Sequence, residues 1–348
     1  MIIPIENIYY LLCYAWNILD EKDKVKVSID DRTELLDLFA KILIQGARIL
    51  LKRGIEKDYN SETIEIAGVK GKLELGQTFK SGLFNKQRTI CTIDEFSGNI
   101  LSNQVLLSTL YRLLRTRDLN PDLKKQLKPL IWLFAGIQPV ELNQRVFSQV
   151  RLHRNNRFYA FLIKVCQIIF ENTLPTEKPG EWFFVDFLRD ERKMNKLFEN
   201  FLLNFYKREF PHWYVRSEQL SWQFDVSDKD HVGFLPRMIT DISIDTPKQK
   251  IIIDAKYYRE ALSTYHGNEK IKSVNLYQLF SYLLNQRSED PRSWQTRGIL
   301  LYPTTNHELN LSYKYHHHPI QIKTINLNVH WKEIENRLKE IVGGYAER

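Results

Sequence analysis

The chain has 348 residues, 43% hydrophobic and 26% charged, with a formal net charge of +8 and a sequence pI of about 9.1. That composition fits a soluble globular protein with room for two domains. The basic balance suits a polyanion such as DNA, and equally suits proteins that never meet nucleic acid. Three cysteines, Cys13, Cys91 and Cys166, occur with no CxxC spacing, which excludes a disulfide framework and a zinc cluster. No basic signal segment opens the chain, and no apolar run approaches the roughly 18 residues that span a bilayer. The expected setting is a reducing cytoplasm, away from membranes.

Ile5 to Leu19 reads as a helix carrying Tyr9, Tyr10, Tyr14 and Trp16, with Asn7 as its cap. These aromatics suit a core, with partner contact as the other use. Glu21 to Asp31 is a charged linker. From Glu34 to Arg53 apolar residues recur at helical spacing, and Gly54 supplies a stop. Alternating strands follow near residues 63–66, 72–75 and 88–93. Gly68-Val-Lys-Gly-Lys72 has the wrong spacing for a phosphate-binding loop, and Leu73 follows the lysine where Ser or Thr is required. With no such loop in the chain, any nucleotide energy must come from another chain.

Helices are predicted over 104–115, capped by the turn Asn99 to Asn103, over 121–134 and over 160–170. Arg151, His153, Arg154 and Arg157 form a basic patch suited to a solvated face or to DNA or partner contact. Pro175 and Pro179 interrupt the pattern between Thr173 and Gly180. The expected boundary lies there, with a mixed α+β domain over 1–175 and a second domain over 181–348.

In the second half, Trp182 to Phe187 precedes a helix that carries Glu199 and runs to about Phe210. Strands near 213–216 and 221–224 lead to a hairpin. Ile242 and Ile244 alternate with Asp241, Ser243 and Asp245, residues 246–249 form the turn, and Ile251, Ile252 and Ile253 suit a strand buried on both faces. Asp254 and Lys256 follow at i and i+2, so they face one way, and the hairpin can bring Asp241 alongside. Carboxylates placed there are costly unless compensated. Mg²⁺ between Asp241 and Asp254 would compensate them, orient a phosphodiester and activate water, with Lys256 positioning that water or stabilising charge. An ordinary hairpin with a surface Asp–Lys pair fits the bare spacing as well. A polar loop from Tyr265 to Ser273 carries Lys270 and Lys272, well placed to meet phosphate if the loop folds over the site. Gln278 and Tyr282 lie four apart on one face of a helix, which also fits plain packing. A strand at 298–302, a strand at 320–327 and a helix at 331–341 close an α/β layered core. His316, His317 and His318 are adjacent on a strand and point to opposite faces, which argues against a shared metal ion.

Thr240-Asp241 with Asp254-Ala255-Lys256 resembles the PD-(D/E)xK nuclease superfamily, with Thr240 in place of the usual proline. Gln278 and Tyr282 resemble the Gln-x-x-x-Tyr motif of RecB-type nucleases. Lys196 to Leu202 resembles the first core helix, whose Glu, here Glu199, can complete a metal site; an exposed helix position fits Glu199 equally. Over nearly its full length the chain is similar to the McrC family of modification-dependent restriction systems. Ile5 to Trp16, Val69 to Glu74, Arg154 to Tyr159 and Asn275 to Leu279 carry that likeness.

The resemblance implies a restriction-endonuclease-like core and Mg²⁺-dependent cleavage of double-stranded DNA. It also implies an N-terminal half that docks into and stimulates McrB, a hexameric AAA+ GTPase that recognises methylcytosine sites and binds the GTP. A stand-alone repair or defence nuclease and a non-catalytic regulator of an AAA+ motor are the other readings.

Overall fold

A computed structural model of the chain describes residues 3–17, 19, 34–151, 156–224, 229–258, 262–265, 268–286, 295–304 and 308–343. The expected linker at 21–31 lies outside them, as do His153 and Arg154 of the basic patch. Two compact units form. One joins the first helix, α1 (Ile5–Ala15), to the described residues from Asp186 onward; the other ends at Val185.

The unit ending at Val185 is a helical cluster beside a small sheet. Its helices are α2 (Leu35–Arg53), α3 (Leu75–Lys80), α4 (Leu101–Leu114), α5 (Pro121–Trp132), α6 (Gln144–Gln149) and α7 (Arg157–Glu171). Phe39, Leu43, Leu106, Leu110, Leu127, Phe161 and Val165 make its core. Gly54 ends α2 with φ of 91°, a left-handed conformation that favours glycine. Strands β1 (Asp58–Ala67), β2 (Lys72–Leu73) and β3 (Arg88–Ser97) form a sheet in the order β1-β3-β2.

Two local expectations change here. Helix α4 begins at Leu101, so Asn103 lies inside it, fully buried. Its amide donates to Glu56 O (2.8 Å) and Gly98 O (2.7 Å) and accepts from Tyr159 OH (2.7 Å), which makes it a core polar hub and not a cap. The proline-rich stretch is no boundary either. β4 (Thr173–Pro175) and β5 (Trp182–Phe184) pair antiparallel within this unit, and the division falls at Val185.

The other unit is built on a mixed six-stranded sheet, ordered β14-β15-β13-β10-β9-β6. After α8 (Glu191–Glu209) come β6 (Tyr214–Arg216), β7 (Gln219–Leu220), β8 (Met238–Ile239), β9 (Ile242–Asp245) and β10 (Lys250–Ala255). The strand expected at 221–224 is irregular, and β7 precedes it. The loop expected from Tyr265 to Ser273 is a hairpin of β11 (Leu262–Tyr265) and β12 (Asn268–Ile271). Then follow α9 (Ser273–Leu284), β13 (Arg297–Thr304), β14 (Asn310–Tyr315), β15 (His318–Asn326) and α10 (Trp331–Val342). β10, β13 and β15 run parallel; the outer pairs are antiparallel.

Ile251, Ile252 and Ile253 are wholly buried, as a strand covered on both faces requires. Ile252 packs with Leu279, Tyr282 and Leu283 of α9. Gly298 on β13, paired with Ile252, lets that helix approach: a Cβ there would lie 2.9 Å from Leu283 Cδ1. His316 and His317 are exposed at the β14–β15 turn, while His318 is buried with Nδ1 3.0 Å from Thr296 O. No helix among the described residues is long and apolar enough to cross a membrane.

Helix α1 breaks the expected 1–175 grouping. It packs on α8, Tyr10 stacks on Trp331 with centroids 4.5 Å apart, and Tyr14 OH donates to Glu209 (3.1 Å). Asn7 is no cap, since Pro4 holds that place. Its amide donates to Leu327 O (2.9 Å) and Val329 O (2.8 Å), satisfying the irregular backbone between β15 and α10. Asn7→Ala removes both bonds from a buried place and is expected to destabilise this unit by about 2 kcal/mol, measured as a lowered urea midpoint.

Candidate active site

Asp241, Asp254 and Lys256 meet where the β9–β10 hairpin ends. The register pairs Ile253 with Ile242, which sets Asp254 beside the residue just before β9, Asp241. Lys256 Nζ donates to Asp254 Oδ1 at 2.9 Å and lies 3.5 Å from Asp241 Oδ2. Ala255 N–H donates to that same Asp241 oxygen at 2.9 Å. Thr240, standing where proline is usual, anchors the approach. Its N–H donates to Glu218 O (2.9 Å), which a proline could not do, and its hydroxyl meets Ser243 Oγ (2.9 Å).

The Asp254 side chain is 0% exposed, those of Lys256 and Asp241 12% and 15%. Burial pushes the Asp254 carboxyl well above the ordinary aspartate range; the Lys256 charge opposes this, while Asp241 and Glu199 add to it. Burial works against the Lys256 ammonium, but the charges of Asp254 and Asp241 outweigh it and hold its pKa above the usual lysine value. Glu199, on α8, is raised by burial and then by the charge of Asp241. It bonds to Asn195 and to Lys196 (3.3 Å), and its side chain, 18% exposed, lines the same cleft as Lys256. An open cleft of about 440 Å³ lies here, lined by Arg192, Asn195, Glu199, Lys256 and Tyr258 among others.

Two carboxylates thus share the well-buried Lys256 ammonium, while Glu199 pairs with Lys196, and Asp254 Oδ2 is buried without a hydrogen-bond partner. Such an oxygen is costly unless a ligand meets it. Among the described residues no three His, Cys, Asp or Glu side chains close around an ion by themselves. Two adjacent carboxylates, one with an unmet oxygen, fit Mg²⁺, which takes one or two carboxylates and completes its shell with water and phosphate oxygens.

Gln278 and Tyr282 stand one step back from the charges. Gln278 Nε2 donates to Tyr282 OH (2.6 Å), and that hydroxyl donates to Ile239 O (2.8 Å), two residues before Asp241. Burial pushes the Tyr282 phenol up to about 12, and Asp254 and Asp241 add to it. Lys272 lies 3.4 Å from the Tyr258 ring centroid, whereas the Lys270 side chain is outside the described residues. Reasoning from motifs passed over Asn195, whose Oδ1 accepts from Tyr257 N–H (2.7 Å) while its amide meets Glu199. Its place one helical turn before Glu199 was the available signal.

Residues 6–303 match the family model described as McrBC 5-methylcytosine restriction system component. The Escherichia coli (strain K12) type IV methyl-directed restriction enzyme EcoKMcrBC is 34% identical over 346 residues, 99% of either chain. A chain in the half-complex of Thermococcus gammatolerans McrB AAA+ hexamers with bound McrC shares the fold. Its TM-score is 0.55 at 18% identity, covering 95% of this chain and 76% of that one. With the family model spanning most of its length, the chain belongs to the McrBC 5-methylcytosine restriction system component family.

Proposed function

We propose that this chain is the Mg²⁺-dependent DNA endonuclease subunit of a methylcytosine-directed restriction complex, and that it works with a hexameric AAA+ GTPase like McrB. The single observation that carries the chemistry is the buried Asp254 carboxylate, with one oxygen bonded to Lys256 and the other without a partner. Asp254 and Asp241 would hold the ion. When bound, Mg²⁺ supplies charge stabilisation at the scissile phosphate and a more acidic water.

The chain's own groups do the rest. Asp241 commits Oδ2 to Ala255 N–H and Lys256, which leaves Oδ1 for a ligand. The charges of Asp254 and Asp241 raise the Lys256 pKa, and its ammonium would donate to a phosphate oxygen or position the attacking water. Tyr282 and Gln278 are positioning residues, fixing the strand that leads to Asp241. Glu199 and Asn195 line the cleft wall and fix the backbone after Lys256.

The partner assignment rests on family membership and on the solved assembly of McrB hexamers with McrC. The unit ending at Val185 would dock to the ring and stimulate its GTPase, and the other unit would cut double-stranded DNA. The chain's lack of a phosphate-binding loop agrees with GTP being held by the partner.

The test is cleavage of methylated and unmethylated plasmid, with and without the GTPase. Cutting should require methylation and the partner. Asp254→Asn and Lys256→Ala should each lower the rate by about 10³-fold or more, with partner assembly intact. Wild-type cutting by either variant would remove the site assignment, and cutting of unmodified DNA by the pure chain would favour a stand-alone nuclease. Thermal melting reads metal binding separately. Mg²⁺ at about 100 times its Kd stabilises a binding fold by about 2.7 kcal/mol, so the wild-type midpoint should rise and that of Asp254→Asn should not. Tyr282→Phe leaves Ile239 O unsatisfied; a loss of about 1 kcal/mol in urea and a reduced cleavage rate, with Mg²⁺ stabilisation retained, are expected.

A further inference from the structure

Away from the acidic cleft, the unit ending at Val185 holds a second cavity of about 470 Å³. Tyr111 and Arg112 reach it from α4, and Arg115 from the residue that ends that helix. Val140 and Glu141 form the facing wall, and Trp182 of β5 closes one side. Backbone bonds hold these walls. Trp182 N–H donates to Arg115 O (3.2 Å), Arg117 N–H to Trp182 O (2.8 Å), and Val140 N–H to Ser108 Oγ (2.8 Å).

Arg112 is half-buried, with its guanidinium carbon 3.6 Å from the Trp182 ring centroid and 5.0 Å from that of Phe170. One N–H donates to Thr173 Oγ1 at 3.0 Å. Among the described residues no carboxylate pairs with it, and burial alone pulls its pKa down to about 10. It stays charged at neutral pH. Arg115 follows three residues later on the same helical face, where like charges repel. It too has no acidic partner among the described residues, and Glu141 in the facing wall pairs with neither arginine. Stacking explains the flat seat of Arg112 on Trp182. It does not explain why a second guanidinium joins it at an open cavity, with most of the five donors of Arg112 uncommitted.

We propose that this cavity binds a phosphate group, with Arg112 as the inner partner and Arg115 at the rim. Two guanidiniums suit a phosphate, which offers several oxygens and up to two charges, better than a single carboxylate. The phosphate could come from solution or from the 5′ end of a nucleic acid, and the two sources share this recognition chemistry. The site is independent of the nuclease assignment.

Calorimetric titration of the full chain with inorganic phosphate, in EDTA at fixed ionic strength, tests it. Saturable one-to-one binding is expected. Arg115→Gln, an exposed change that leaves the fold intact, should weaken it by about tenfold. Arg112→Lys keeps the charge but loses the planar fork and should weaken it at least as much. Lys256→Ala should bind as wild type does. No saturable binding, undiminished affinity in both arginine variants, or loss in Lys256→Ala alone would each overturn the proposal. Tighter binding of a 5′-phosphorylated deoxydinucleotide than of phosphate would support it and identify a nucleic-acid end; equal or weaker binding would support it with free phosphate as the ligand.

Discussion

A carboxylate sealed at the end of a strand with three consecutive isoleucines is the constraint that the unit built on the six-stranded sheet is arranged to meet. Asp254 has no exposed surface and carries one hydrogen bond, to an ammonium that Asp241 also claims. An isolated charge in such surroundings is prohibitive. Lys256 relieves part of that cost, and the unpartnered Asp254 Oδ2 marks the part that remains. The site is therefore short of positive charge by construction. Burial raises the carboxyls of Asp254 and Glu199, with neighbouring carboxylates adding to it, and the charges of Asp254 and Asp241 hold the Lys256 pKa up.

The surrounding elements serve to keep those groups from relaxing apart. From α8, Asn195 fixes the backbone immediately after Lys256. From α9, Tyr282 fixes the backbone just before Asp241. At the far end of the hairpin Glu218 bridges Arg216 (2.7 Å) and Lys250 (2.6 Å), and Arg216 also pairs with Asp245. Charge at that end is matched within the protein, while at the Asp254 end one carboxylate oxygen has no partner. The substituted Thr240 fits the same logic: it replaces a rigid ring with hydrogen bonds that pin the same turn of backbone.

Much of this was legible from residue order. The Asp-x-Lys at the end of a buried strand, the upstream Asp241 and the i, i+4 pair Gln278–Tyr282 are local patterns, and the structure keeps each pattern's geometry. Other readings failed where a residue's partner lies far along the chain. Asn7 and Asn103 sit at helix starts in the sequence, the usual place of a cap. Asn7 bonds to carbonyls more than 300 residues away, and Asn103 bridges Glu56 and Tyr159. Prolines near Thr173 suggested a domain boundary, yet the strands around them pair with each other. The outer strand β14 went unread although Leu311, Tyr313 and Tyr315 alternate with Asn310, Ser312 and Lys314; its side chains are mostly exposed.

Periodicity and motif spacing by themselves determined the hairpin, its acidic and basic ends, the order of the core helices and strands, and the absence of a nucleotide loop. These depend on neighbours a few residues apart, where backbone geometry dictates which side chains share a face. Tertiary structure alone decided that α1 completes the core of the unit formed by the chain's second half, that Asp254 is fully buried with one oxygen unmet, and that Arg112 and Arg115 share a cavity with Trp182. Burial, an unmet oxygen and a shared cavity arise from packing between distant segments, and no local pattern encodes which segments those will be.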